Sequence, residues 1–406
     1  MRFCRICRSK DLIQVLNYRK NAFAGSLLKK RQLYYEKKHN LKLNLCNNCK
    51  HVQINDLIDP SKLFKNYLWE TGISKSNIEL INELVKDIKN NSYSKKYNKV
   101  FEIASNDGTC LSIIKNKLKS NIIGIDPAKN IALDANRKNI FTLNKFFSYK
   151  YSKVIKNKFG KFDVCLSRNM IAHVHDPVDI FNGVKNILND DGIFIVEFPH
   201  LLNIFKEIQY DNVFHEHIGY HSLKSILDIA KICKLTVFNV KKVRSQGGSL
   251  RVFVSKNNKL KLSKDIFKII NEEKKVGLFR NSSWIKFKKR VDNNLDQLNK
   301  LFLYLKLQNN KISVYGASGK GQTLLQLLNN SNNIFDKIYD KSNLKQGLYT
   351  PGTHIKIENP KKIYKDMPDY IFVCTWNIIE EILVEHNKYR KIGGKFIIPF
   401  PNPKII

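Results

Sequence analysis

Apolar and polar positions divide the chain into stretches of different period. Between about residues 59 and 97, Ile78, Leu80, Ile81, Leu84, Val85 and Ile88 fall near i, i+3, i+4, i+7, which predicts an amphipathic helix. From residue 99 the pattern becomes short apolar runs that end in turns. Runs at 99–104, 121–126, 139–142, 162–167 and 192–198 read as strands, with helix-spaced segments between them. Such alternation predicts a mostly parallel sheet covered on both faces. Residues 235–241 and 249–254 read as two more strands around Gln246-Gly247-Gly248, one of them antiparallel. A second alternating unit follows, with strands at 311–317, 337–340, 370–374 and 395–399.

These periods give an α/β chain in five parts. A cysteine-bearing module spans 1–58, a helical connector 59–97, a Rossmann-like core 98–256, a helical linker 257–308, and a smaller Rossmann-like domain 309–406. Composition changes this little. No run of 18 apolar residues predicts a membrane span, and the N-terminus lacks a signal-peptide layout, so a cytoplasmic protein is expected. Net charge is +36, from 71 Lys+Arg against 35 Asp+Glu. The lysines are scattered and form no long block, which points to a solvated basic surface that favours small anionic substrates over a nucleic-acid partner.

Chemistry enters with the cysteines. Cys4-x2-Cys7 and Cys46-x2-Cys49 are two thiolate pairs of matched spacing, suited to one tetrahedral structural Zn²⁺. Four sulfur ligands leave no open position, so no metal catalysis is expected.

The first strand of the core runs into Ala104-Ser105-Asn106-Asp107-Gly108, then a helix, and the second strand ends in Asp126. A small-residue turn lets a cofactor approach a helix N-terminus, and a carboxylate about 20 residues on suits ribose hydroxyls. NAD and S-adenosylmethionine (SAM) both fit. The missing GxGxxG spacing weakens the dinucleotide reading. Gly316-Ala317-Ser318-Gly319-Lys320-Gly321 is a second Gly-rich turn, where backbone N–H groups and Lys320 can meet a phosphate or simply form a tight turn.

Residues 102–109, Glu-Ile-Ala-Ser-Asn-Asp-Gly-Thr, closely resemble the EIGSNDGT motif of nucleotide-sugar C-methyltransferases. Further matching stretches follow in order: Asn169 to Val174, Phe214-His215-Glu216-His217, Gly247 to Arg251, Tyr315 to Gly321 and Trp376-Asn377. The resemblance spans nearly the whole chain. It implies a zinc module, a SAM-binding core and a C-terminal Rossmann-like domain that helps bind a nucleotide-linked 4-keto-6-deoxyhexose. Glu102, Ala104, Ser105, Asn106, Gly108, Asp126, Pro127 and Asn169 would then face SAM, and Arg251, Gly316 and Lys320 the substrate.

C-methylation beside a ketone requires a base for the α-proton and donors for the enolate oxygen. By resemblance His217 is the base, with Glu216, His173 and His215 in support and Tyr67 a weaker candidate. Phe214 stands where the family commonly has Tyr, and a phenyl ring donates no hydrogen bond. That difference leaves methyl transfer to oxygen or nitrogen as an alternative. A zinc-ribbon nucleic-acid binder or RNA methyltransferase is a further alternative, and oligomeric state is left open.

Overall fold

The structure is a computed structural model and describes residues 3–55, 58–60, 63, 71–73 and 75–406. Tyr67 and Trp69 lie outside the described residues.

The N-terminal module is more regular than its sequence suggests. Strands β1 (Leu12–Ala22) and β2 (Lys38–Cys46) pair antiparallel, and β3 (Val52–Ile54) pairs with β2. The fourth strand of this sheet, Gly219–Tyr220, comes from the core domain. Val15, Leu43 and Ile54 share one apolar cluster with Tyr220, with Leu298 of the linker and with Val314 and Phe372 of the C-terminal domain. A module of about 60 residues is marginal alone, and here its core is completed by its neighbours.

The central sheet uses β4 (Lys99–Ile103), β5 (Asn121–Ile125), β6 (Thr142–Leu143), β7 (Phe162–Arg168) and β8 (Leu188–Pro199). After β9 (Gly219–Tyr220) it is completed by β10 (Thr236–Val243) and β11 (Ser249–Ser255). Its order is β10-β11-β8-β7-β4-β5-β6. Strands β4 to β8 run parallel, while β11 is antiparallel to both β8 and β10. Chain direction away from β4 reverses between β5 and β7, so the crevice for a ligand lies at the carboxyl ends of β4 and β7. The helix expected before the core spans Lys75–Asn91 and packs Ile81, Leu84, Val85 and Ile88 with Val100, Leu111 and Ile114.

The linker folds into two helices, Lys264–Lys275 and Asn281–Leu307. The second has 27 residues and is therefore about 40 Å long. Along it Asn294 accepts the Tyr210 hydroxyl at 2.8 Å and donates to the Pro399 carbonyl at 2.9 Å, which ties core to C-terminal domain. The last domain holds β12 (Ile312–Tyr315), β13 (Ile338–Tyr339), β14 (Ile357–Glu358), β15 (Tyr370–Val373), β16 (Lys395–Ile398) and β17 (Lys404–Ile405). They lie in the order β14-β13-β12-β15-β16-β17, with β17 alone antiparallel to its neighbour. The Gly-rich turn after β12 thus sits at a second switch point. Among the described residues no helix is long and apolar enough to cross a membrane.

Candidate functional site

The two cysteine turns are built alike. Arg8 N–H donates to the Cys4 carbonyl and Lys50 N–H to the Cys46 carbonyl, and Arg8 and Lys50 both take positive φ, 62° and 63°. The β1–β2 pairing, with Leu12 opposite Cys46, brings the turns together. The Sγ atoms of Cys4, Cys7, Cys46 and Cys49 all lie within 4.8 Å of one another, with Cys4–Cys49 at 3.4 Å and Cys7–Cys46 at 3.6 Å. A tetrahedron with Zn–S bonds of about 2.3 Å has sulfur–sulfur edges of about 3.8 Å, so the residues fit a four-thiolate zinc.

At the end of β4 the turn is wound through left-handed residues: Ala104 at φ 55°, Asn106 at 52° and Gly108 at 76°. Two of these are not glycine, which marks a turn held by its surroundings. Asp126 does the holding. Its Oδ2 accepts the Asn106 N–H at 3.0 Å and its Oδ1 the Ala128 N–H at 2.9 Å. A Cβ on Gly108 would stand 2.8 Å from Ile140 Cγ2, so the packing as well as the φ requires glycine there. Asn144 Nδ2 secures the other side by donating to the Asp126 and Pro127 carbonyls, both at 3.0 Å.

Asn106, expected at the cofactor, spends its Oδ1 on the Thr71 N–H at 2.9 Å. Asp107, not singled out from sequence, accepts the Gly72 N–H at 3.1 Å and the Thr109 hydroxyl at 2.8 Å. The pair therefore closes the 71–72 segment over the turn. Glu102 Oε2, Ser105 Oγ and Asn169 Oδ1 are buried without a hydrogen-bond partner among the described residues. They cluster by sequence position at the ends of β4 and β7, and such orphaned groups await a polar ligand. The donor set fits the amino-acid and ribose portions of SAM. Burial pushes the Glu102 carboxyl up to about 7, against the pull of the Arg168 guanidinium.

Arg251, expected at the substrate, belongs to the frame. It is fully buried, with Nε and Nη2 donating to Glu197 at 2.9 and 2.8 Å and Nη1 to Asp87. The alternation of β11 points this side chain across β8 toward the Lys75–Asn91 helix rather than to the crevice, because its register partner is Glu197.

The 209–221 segment carries the imidazoles. His217 lies 4.2 Å from the Phe214 ring and 4.8 Å from His173, centroid to centroid. Burial, aided by His173 and Lys320, holds its imidazole well below the usual range, and one ring nitrogen faces the Asn212 carbonyl. A neutral ring that donates through one nitrogen keeps a lone pair on the other, the form a base needs. His173 is lowered to about 4 by burial, with its ring near the Glu216 and Asn169 carbonyls. His215, expected in the same group, turns instead to β2, where its Nε2 lies 3.2 Å from the Asn40 carbonyl beside Phe23. Burial pushes Glu216 up to about 8. The neighbour of its carboxyl is Gly25 of the zinc module, at φ 91°, where an added Cβ would stand 2.7 Å from Oε1.

Gly25 is fixed from the third domain: its N–H donates to Gln322 Oε1 at 2.7 Å. One turn on, Gln326 exchanges hydrogen bonds with the Ala22 backbone at 2.8 and 3.2 Å. Neither glutamine was singled out from sequence, because nothing in an isolated helix marks a partner some 300 residues away. Gly316, expected to meet substrate, has no N–H to offer; it donates to the Tyr339 carbonyl at 2.8 Å, and a Cβ there would strike Thr375. The Ala317 N–H goes to Asp340 at 2.8 Å. The Lys320 ammonium faces inward, to the Gln246 carbonyl at 3.2 Å.

Three family models tile the chain in order. A zinc binding domain matches residues 4–64, a methyltransferase domain 72–237, and a C-methyltransferase C-terminal domain 244–401. The chain is a SAM-dependent methyltransferase whose C-terminal part is similar to the C-terminal domain of C-methyltransferases. A relative, C-methyltransferase NovU of Streptomyces niveus, is 28% identical over 407 residues, covering 99% of this methyltransferase and 96% of the relative. Among solved structures, magnesium protoporphyrin IX methyltransferase from Synechocystis with bound SAM covers 50% of this chain and 100% of its own, at 9% identity and a TM-score of 0.37. A SAM-dependent methyltransferase from Clostridium acetobutylicum covers 43% and 89%, at 14% identity and a TM-score of 0.34.

Proposed function

We propose that the methyltransferase acts on a nucleotide-linked 4-keto-deoxyhexose and methylates the carbon beside the ketone through an enolate. The observation that carries this reading is the neutral, buried His217, set where the 209–221 segment meets the C-terminal domain. Carbon becomes a nucleophile only after losing a proton, and a carbonyl neighbour is what makes that proton removable. SAM supplies the electrophilic methyl group. The chain's own residues do the rest. His217 takes the proton on its free ring nitrogen. Glu216 orients the sugar from the Gly25 side, and His173 packs edge-on against the base. Glu102, Ser105, Asn169 and the Asp126-held turn hold SAM at the ends of β4 and β7. Zinc shapes the N-terminal module and stays outside the chemistry. The net charge of +36 suits the diphosphate of a nucleotide sugar.

The test is SAM consumption against a panel of nucleotide 4-keto sugars, with the new methyl located by NMR. A methyl on ring carbon next to the ketone is expected. A methyl on oxygen or nitrogen, or no turnover with any sugar of the panel, overturns the reading.

A further inference from the structure

The Lys320 side chain is spent neither on the Gly-rich turn that carries it nor on an ion pair. It is buried, at 8% exposure, and among the described residues its ammonium donates to one oxygen, the Gln246 carbonyl. An ammonium has three N–H donors, and leaving them unused away from water is costly. The Asp211 carboxylate, whose charge acts on it, does not pair with it within 4.0 Å. Asp211 is engaged elsewhere: its Oδ2 accepts the Trp376 indole N–H at 2.8 Å. A phosphate anchor at the turn is short of donors, since three of the turn's amides are taken. Gly316, Ala317 and Gly321 donate to the Tyr339 carbonyl, Asp340 and Ser318 respectively.

What Lys320 adjoins is the base. Its neighbour Gly319 lies against the Phe214 ring, with 3.2 Å between a built Cβ and Cε2, and that ring lies tilted at 37° against His217. The Gln246 carbonyl it touches belongs to the loop before β11, whose first residue pairs with Pro199 at the carboxyl end of β8. The ammonium therefore stands on the cofactor side of the central sheet, beside the imidazole, with donors to spare. Phe214 brings no hydroxyl to this space.

We propose that Lys320 is a catalytic residue of the C-terminal domain, whose ammonium meets the ketone oxygen of the substrate and carries the charge that forms there. The proposal rests on the 4-keto sugar reading above. In the step it serves, the α C–H bond breaks and its proton goes to His217. The C–H electron pair becomes a carbon–carbon double bond, and the C=O π pair moves onto oxygen as the enolate charge beside Lys320. Nothing is oxidised or reduced. A fixed donor aimed at such an oxygen is worth about 10²–10³ in rate.

Exchange of the α-proton in deuterium oxide isolates this step, because it needs no methyl transfer. The probes are the thymidine and uridine diphosphate esters of a 4-keto-6-deoxyhexose, followed by NMR with full-length wild type, H217A, K320M and K320Q. Both Lys320 variants should exchange and turn over about 10²–10³-fold more slowly, with SAM affinity as in wild type and KM within about threefold. Wild-type exchange in either variant, or a raised KM with unchanged kcat, overturns the assignment and marks a phosphate anchor. Loss of SAM affinity in both variants overturns it in favour of a structural role. If wild type itself exchanges neither sugar, the 4-keto reading fails and takes this assignment with it; that outcome is told apart because wild type and variants then look alike.

Discussion

Single atoms at the junction around His217 give the sharpest predictions. His217→Ala should lower turnover by about 10²-fold or more while leaving SAM affinity within about twofold, measured by steady-state kinetics and calorimetry. Retained activity would remove it as the base. Gly25→Ala tests the contact from the zinc module. Its φ of 91° disfavours any Cβ, and the methyl would press on Glu216. Turnover should fall about tenfold with SAM affinity unchanged. Glu216 also has a stability signature. Burial raises its folded pKa from 4.5 to about 8, so between those values the folded chain holds a proton that the unfolded chain has lost. Stability from this group is complete below pH 4.5 and is lost as pH rises toward 8. Glu216→Gln should therefore raise the unfolding temperature relative to wild type increasingly across that window, by a few degrees at its upper end, and a constant difference would argue against the buried acid.

Turns and strands carry a different kind of consequence. The 104–108 turn is tied to the second strand by one carboxylate, so Asp126→Ala should weaken SAM binding by about tenfold or more, and unchanged affinity would mean the cofactor lies elsewhere. Arg251→Ala leaves Glu197 and Asp87 buried with part of their compensation gone and should cost about 3–5 kcal/mol in denaturant unfolding. Intact stability would return Arg251 to the substrate. These two residues show what was legible. The strand–turn–helix of 99–126 and the amphipathic helix near 78–88 follow from local spacing, and both form as expected. The cysteine turns likewise announce themselves. Arg251 looked functional because a motif stretch says which residues recur together, not which face of a strand they occupy. The role of β9 in the zinc-module sheet, and of Gln322 and Gln326 on the Ala22–Gly25 backbone, depends on pairings 160 to 300 residues apart, for which local pattern holds no signal.

Across domains, the proposed reactive corner belongs to no single unit. The zinc module supplies Gly25, the core supplies His217 and Glu216, and the C-terminal domain supplies Gln322 and Lys320. Metal analysis should find one zinc per chain. Stripping it with a chelator should abolish turnover before SAM binding is lost, because the cofactor turn is braced within the core whereas Gly25 hangs from β1. Simultaneous loss of both would show the module to be part of the core's own folding. The hydrogen bonds from the 319–327 helix back to residues 22 and 25 have a consequence in time. Residues 22 and 25 are held in place by a helix some 300 residues further along, so a chain emerging from the ribosome can assemble its cofactor turn long before it can assemble the corner proposed around His217. A chain truncated before residue 319 is therefore expected to bind SAM without spending it.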